Sequence, residues 1–542
     1  MSRWGSTLRD RRVVAVMSLL LALAATVIAT RLITASDPQP EPERDPGPGP
    51  TSSAVPSARP LPDDDVVALP LGVDLQAVID DHPPGTQYLI GKGVHREQIL
   101  IPDSGDVIQG APGSVLSGAR DISADVVIWQ REDRWWFVDG QTQEGSPFGT
   151  IDDDGNPLHA RPEQLFVGND RWQPVASRDL LDTDTWYFDY EADRIWLGRD
   201  PATLGRIETS VASAAISNED ADDVTIIGVT VERYANRSSF GAIDGLNALG
   251  WQIRDCVARD NHGAGVSVGP GGLVEGCTMH DNGQLGLKVV GVGRRGADEG
   301  RSIAVTIRRN DIHDNGTLDF DASWEAGGLK IAECRQGVLF EQNWVHDNAG
   351  PGAWFDVYNY RATIRENLIE DNTVRGIFYE LSYGPTRITE NIVRRNGDPS
   401  STAPWQAGIF VSSSRDVEVS DNIVYDNVGG GVVGRTAGDR DPLIRNLVVQ
   451  GNQIALSSGF NGIEANRGAP SETFDGLGNT FIGNDYWGSA DADFAWDGSL
   501  QLSWDRWQAL GNDIEGSLRM GPDRLDDTTS DIPRRRYGAT PR

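Results

Sequence analysis

Lysine is almost missing from this chain. Of 48 Lys and Arg residues, only Lys92, Lys288 and Lys330 are lysines. Cysteine is as scarce, with Cys256, Cys277 and Cys334 alone, which excludes a disulfide framework. Cys256 and Cys277 fall at the same position of neighbouring repeats, so a bridge between them and a pair of buried thiols are both open. Positive charge is outnumbered, and a formal net charge of −32 excludes nucleic acid as a partner. It also works against binding a polyanion unless local cations or a metal intervene. What is plentiful points the other way from disorder: 62 Gly, 16 Trp and a hydrophobic share of 38% describe a folded, turn-rich β protein. At 542 residues such a chain is either several domains or one elongated repeat.

The N-terminal part reads as export machinery. Arg3, Arg9, Arg11 and Arg12 precede an apolar run from Val13 to Ala29, so residues 1–35 are expected to be a signal peptide or membrane anchor. The basic flank places the rest of the chain outside the cytoplasm, either secreted or held to the membrane by this segment. Residues 36–64, dense in Pro and Gly, read as a linker. Residues 65–126 supply a cap and the first coils: Asp74 caps a short helix with Leu75, Val78 and Ile79 on one side, followed by short strands. Residues 127–206, with Trp135, Trp136, Trp172, Trp186 and Trp196, read as an inserted β domain. Asp152, Asp154, Asn156 and Glu163 in it match calcium-loop spacing, but Pro157 stands where such a loop needs Gly, and a solvated turn is the default.

Residues 207–488 repeat. The unit is apolar-x-apolar-x-x-Asn-x-apolar-x-x-Asn, a turn, then Gly-apolar-x-apolar. Its first key position is filled by Val229, Cys256, Cys277, Asn310, Asn343, Asn367, Asn391, Asn422, Asn452 and Asn479. The second Asn recurs as Asn261, Asn282, Asn315, Asn348, Asn372, Asn396, Asn427 and Asn484. Three short strands per unit, stacked in parallel with Asn bonding between coils, form a parallel β-helix, which the handedness of parallel crossovers makes right-handed. Residues 489–521 complete a last coil and cap, with a helix around Ser503, Trp504, Trp507 and Leu510, and 522–542 form a charged tail. The predicted class is therefore all-β, a parallel solenoid with an inserted β domain and short capping helices, monomeric.

Aligning the strand after each second Asn produces two columns. Ser267, Lys288, Lys330, Trp354, Phe378, Phe410 and Val433 form one; Gly269, Val290, Ala332, Asp356, Glu380, Ser412 and Arg435 form the other. Two of the three lysines thus sit together beside two stacked acids. Neighbouring strands lie about 4.8 Å apart, so the carboxyl groups are expected roughly 5 Å apart, as in retaining glycosidases at about 5–5.5 Å. Lys288 and Lys330 suit sugar hydroxyls or a carboxylate, and Trp354, Phe378 and Phe410 offer faces to sugar rings. Arg435 closes the second column. Glu325, in the loop before Lys330, is a third candidate acid. His280, His313 and His346 make an outward stack on another face, expected to be incidental rather than a metal site. Gly291 to Gly296 spells a dinucleotide fingerprint but opens no helix.

Motifs running from Arg161-Pro162-Glu163-Gln164 through Trp324 to Lys330, Val345 to Asn348, Gly352 to Asp356 and Phe378 to Tyr383 resemble those of the pectate-lyase-like superfamily of right-handed parallel β-helix proteins. Exported bacterial carbohydrate-active members with a β insertion are the nearest in kind. The acid pair is similar to that of β-xylosidase-type β-helix glycosidases, which implies Asp356 as nucleophile and Glu380 as acid/base, with no cofactor. Val357 and Tyr383 stand where those enzymes carry Trp or His. The implied substrate is a poly- or oligosaccharide. Two alternatives stay open from the residues: a polysaccharide lyase or uronate epimerase using Ca²⁺ and Lys330 as base, and a non-catalytic glycan-binding or adhesin solenoid.

Overall fold

The computed structural model describes residues 66–141, 161–291, 304–400, 406–436, 443–455, 458–465, 472–488, 494–496 and 499–520. The N-terminal segment 1–35, the linker 36–64, most of the calcium-like spacing, the end of the Gly291–Gly296 string and the tail 522–542 lie outside these residues. Among the described residues, no helix is long and apolar enough to cross a membrane.

Among the described residues, sheets of 13, 13 and 12 strands wind around one core, parallel apart from one antiparallel pair that ends the third, and each central coil adds one strand to each sheet. A representative coil runs Val305–Arg308 in the first sheet, Asp311–His313 in the second and Gly327–Ala332 in the third, then Val338–Glu341 returns to the first. This is the all-β parallel β-helix expected from the repeat. Core positions alternate along each strand: Ile307, Ile312, Leu329 and Ile331 point inward and are essentially fully buried.

The bends come from the residue before each Asn. Arg309 and Asp314 hold φ of 56° and 51°, as do their counterparts in neighbouring coils, and this left-handed step turns the chain on either side of a three-residue strand. Each following Asn is then buried and paired along the stack. Asn310 Nδ2 donates to Asn343 Oδ1 at 3.0 Å, and Asn343 Nδ2 to Asn367 Oδ1 at 3.1 Å. A second ladder runs Asn261, Asn282, Asn315, Asn348, Asn372, Asn396, Asn427.

One ladder assignment differs from expectation. Asn452 continues to Asn484, 2.9 Å away, and not to Asn479, so Asn484 belongs to the first ladder. Asn479 instead stands just before Thr480–Ile482 in the first sheet and accepts from Leu447 N. Asn479 and Asn484 stand five residues apart, the spacing that separates the two ladder positions in other coils, so spacing alone cannot tell which of them is the first.

The first ladder ends on Asp513, which accepts from Asn484 N and Nδ2 at 3.0 and 2.8 Å, Tyr486 OH at 2.8 Å and Trp507 Nε1 at 2.9 Å. Asp513→Ala would strand four buried donors at once. It is expected to destabilise the fold by about 3 kcal/mol or more, measured as a lower urea midpoint with an unchanged slope. Trp507 lies on the helix Trp504–Ala509, whose cap is Ser503; at the other end Asp74 caps Leu75–Asp80. These short helices cover the core at both ends.

The insertion is a sheet of eight strands spanning Ala119 to Ser210, a wider span than 127–206. Most of its pairs are antiparallel, and Ile122, Val138, Leu165, Trp172, Trp186, Phe188, Ile195, Leu197 and Ile207 form its own core.

Cys256 and Cys277 are free and buried, with Cys256 N donating to Cys277 Sγ at 3.4 Å. They occupy ladder rungs that Asn fills elsewhere. Cys334 is also a buried free thiol.

Candidate active site

The strand before each candidate acid starts at a glycine because nothing larger fits. A Cβ on Gly352 would sit 2.7 Å from Asn372 Nδ2, and one on Gly376 2.9 Å from Asn396 Nδ2. From these fixed starting points, Ala353–Phe355 and Ile377–Glu380 run side by side with Phe355 opposite Tyr379. Asp356 and Glu380 are the next residues on each, so they are stacked neighbours by register. Both are partly exposed, while Phe355 and Tyr379 are fully buried.

The corner just after the acids is tied by a third, unforeseen ladder. Asn359 Oδ1 accepts from Cys334 N at 3.2 Å, Ser382 Oγ from Asn359 N at 3.1 Å, and Ser414 Oγ from Ser382 N at 3.1 Å. Asp356 O accepts from both Asn359 Nδ2 and Ser382 Oγ, the latter at 2.8 Å. The backbone that aims the Asp356 carboxylate is thereby fixed. The sequence hides this ladder because its residue type changes from Asn359 to Ser382 and Ser414, so no one residue marks the corner.

The first column has the expected register: Ser267, Lys288, Lys330, Trp354, Phe378, Phe410 and Val433 are successive strand partners. The structure corrects its exposure. Lys288 and Lys330 are buried, with Glu325 seated between them. Glu325 contacts Lys288 Nζ and lies 4.0 Å from Lys330 Nζ. Lys330 Nζ also donates to Trp324 O at 2.6 Å, pairs with Asp356 Oδ2 at 3.0 Å and lies 4.0 Å above the Trp354 ring. Burial pushes the Glu325 carboxyl up, but the two ammonium groups outweigh it and hold it below the usual range. Burial outweighs the attraction of Glu325 for Lys288, which lies below the usual lysine range. The network therefore runs Lys288, Glu325, Lys330, Asp356, and only Asp356 of the four is more than slightly exposed, at 17% of its side chain.

The aromatic part of the column is covered too. Trp354, Phe378 and Phe410 pack with Ala407, Val433, Phe460 and Ala495, and the Arg375 guanidinium lies 4.1 Å over Phe378. Burial brings the Arg375 pKa down to about 10, with Glu380 opposing the shift. These rings are roofed because the loops between second and third sheet fold back over them, which strand register alone cannot foretell. Half-buried aromatic faces occur instead at the corner beyond the acids. Tyr383 stacks on Tyr360 at 4.9 Å and on Tyr358 at 6.3 Å, with Arg415 over Tyr383 and Arg335 over Tyr358. Tyr358 and Tyr360 were not among the sequence candidates, though their place directly after Asp356 was a signal.

The second column continues Glu380, Ser412, Arg435, Glu464 in register, with Arg435 Nε 3.7 Å from Glu464 Oε2. Arg435 is thus two coils from Glu380.

The histidine stack is real, with rings of His280, His313 and His346 4.9 Å apart. Unlike the expectation, carboxylates accompany it: Asp281, Asp314 and Asp347 each meet the Nδ1 of the preceding histidine at 2.6–2.8 Å. Among the described residues, no group of three His, Cys, Asp or Glu side chains is placed to hold a metal ion.

A family model described as a right handed beta helix region matches residues 209–354 and 241–403. No curated protein matches the sequence. Among solved structures, a complex of XylC with xylose is similar at 14% identity and a TM-score of 0.60, covering 84% of this chain and 83% of that one. A protein described as a glycoside hydrolase is similar at 12% identity and TM-score 0.41, covering 72% and 91%. The A-module of the Azotobacter vinelandii mannuronan C-5 epimerase AlgE6 is similar at 14% and 0.41, covering 83% and 94%. At 14% identity the likeness to the first of these is one of fold, and together with the family model it agrees with the right-handed parallel β-helix read from the repeat.

Proposed function

We propose that the protein is an exported carbohydrate-active enzyme, a retaining glycoside hydrolase acting on a poly- or oligosaccharide. The observation that carries the reading is the pair of partly exposed acids, Asp356 and Glu380, on adjacent coils behind paired, fully buried strand positions. Side chains at such positions stand about 5 Å apart, the separation at which one carboxylate attacks and the other protonates. The Lys330 ammonium 3.0 Å from Asp356 Oδ2 suits the acid that must be an anion when attack occurs. Asp356 attacks the anomeric carbon and Glu380 gives its proton to the leaving oxygen; Glu380 then draws a proton from water to release the sugar from Asp356. Two neighbouring carboxylates resist double ionisation, which favours a proton on one of them. The solved structure that this chain resembles over most of its length holds xylose, in keeping with a sugar ligand.

The lyase or epimerase alternative needs Lys330 as a free base. Lys330 is instead buried and engaged by Trp324 O, Asp356 and the Trp354 ring. The test is incubation with neutral and uronate glycans, following reducing ends and the absorbance of unsaturated products. Reducing ends without unsaturation are expected; unsaturated products would sink the hydrolase reading, and no turnover of any glycan would favour a binding solenoid.

Sugar faces in this reading are provided by the tyrosine corner. Tyr383→Ala is expected to raise KM up to roughly tenfold while changing kcat less, checked by steady-state kinetics on the substrate that the panel identifies.

A further inference from the structure

Among the described residues, a single Phe, Tyr or Trp side chain is exposed. Trp324 shows 46% of its surface, whereas every other described aromatic of these types is buried or half-buried. It stands in the loop that enters the acid site, and that loop is tightly tied. Asp321 O accepts from Trp324 N and Glu325 N at 3.0 Å, Asp321 Oδ1 accepts from Ser323 N at 2.7 Å, and Trp324 O accepts from Lys330 Nζ at 2.6 Å. Glu325, the next residue, is buried between the two lysines. The backbone that carries the indole is therefore fixed on both sides.

None of these ties uses the ring. Any residue would offer the carbonyl that Lys330 meets, and the ammonium lies closer to the Trp354 ring, at 4.0 Å, than to the Trp324 ring, at 5.3 Å. Packing does not call for an indole at 324, and leaving so much apolar area in water is unfavourable. A rigid, exposed indole instead suits an apolar face brought by a ligand, since little conformational freedom is lost when the two meet.

Its place narrows which ligand. Lys330 Nζ, 5.3 Å from the Trp324 ring centre, is 3.0 Å from Asp356 Oδ2, so the ring adjoins the acid pair. Trp354, Phe378 and Phe410 are roofed and offer no such face. The half-buried tyrosines lie the other way. Trp324 precedes the strand of Lys330, Gly327–Ala332, one coil before Asp356. Tyr358 and Tyr360 follow Asp356, and Tyr383 follows Glu380 on the next coil. The acids thus stand between two aromatic sites, both in coil order and along the strand. A ligand that touches both is extended and presents an apolar face at each end. Sugar rings joined in a chain do this, because each carries a C–H face.

We infer that Trp324 is the stacking platform for a second sugar ring, across the acids from the tyrosine corner. The site then takes a glycan chain with sugar on both sides of the bond to be broken, rather than one sugar on a small leaving group. The position of that bond rests on the reading of Asp356 and Glu380 as the catalytic acids; the two-sided binding does not.

The test is isothermal titration calorimetry on the whole protein, with turnover stopped by Glu380→Gln, against three sets of sugars from monomer to tetramer: xylose to xylotetraose, glucose to cellotetraose, and galacturonate to tetragalacturonate. In at least one set, affinity is expected to step up about tenfold once the chain spans both sites. Adding Trp324→Ala or Tyr383→Ala should each remove the step, Trp324→Phe should keep part of it, and the urea midpoint should not move in the Trp324 variants. The inference is overturned by affinity that does not grow with length, by a step that survives Trp324→Ala, by a Trp324→Ala protein whose urea midpoint falls and whose affinity drops alike at every length, or by no binding in any set. The two readings fail separately. Unsaturated products alongside a Trp324-dependent step would sink the hydrolase and leave the platform, whereas hydrolysis with a step indifferent to Trp324 would do the reverse.

Discussion

Glu380→Gln and Asp356→Asn proteins are expected to fold as the parent does and to lose turnover, the first by about 10²–10⁴-fold in kcat. Folding should survive because neither side chain belongs to the core: both are partly exposed and follow, rather than form, the buried stack of Phe355 and Tyr379. The two variants should fail differently. A retaining mechanism needs Asp356 for bond formation with the sugar, so Asp356→Asn removes the first step for every substrate. Glu380→Gln removes protonation of the leaving group, so a substrate with an acidic phenol as leaving group should recover much of its first-step rate while natural glycosides do not. Stopped-flow measurement of phenol release reads this directly. Equal losses for phenyl and natural glycosides would remove Glu380 from the acid role and leave Glu325 or a group elsewhere to be sought.

Glu325→Ala is expected to produce the largest loss of stability of any single change at the site, about 3–5 kcal/mol. Glu325 is the carboxylate between Lys288 and Lys330, and all three are buried. Without it, two ammonium groups remain out of water with Asp356 alone to face one of them. Pairing Glu325→Leu with Lys288→Met should recover most of the loss, since an apolar pair of similar volume carries no desolvation penalty. The same pair determines an acid limit. Glu325 is lowered in the folded protein, so it binds fewer protons there than when unfolded, and its stabilisation is complete above the ordinary glutamate value of about 4.3. It is lost as pH falls through the lower folded value. Urea midpoints measured downward from pH 5 should drop in the parent and drop less in the Leu/Met variant. A parent midpoint that stays flat there would remove Glu325 as the source of acid sensitivity.

Much of the architecture was legible because its causes are local and repeat. Asn at buried corners, a left-handed residue before it and a glycine starting the third strand each impose a residue type at a position, so the β-helix and the column from Ser267 to Val433 could be counted out. Two features escape the repeat: Asn479 and Asn484 share the five-residue spacing of a ladder pair although only Asn484 lies on the first ladder, and folded-back loops roof Trp354, Phe378 and Phe410.

The sequence alone determined which residues share a column, since parallel strands at fixed spacing convert a repeat into neighbours. That is enough to stack Asp356 on Glu380 and Lys288 on Lys330. Only the tertiary structure decided what each neighbour faces. Glu325 reaches Lys288 from a loop 37 residues away in the chain, and Asn359 and Ser382 hold Asp356 from behind. Such contacts depend on how loops of unequal length return across the sheet, and no period in the residues records that path.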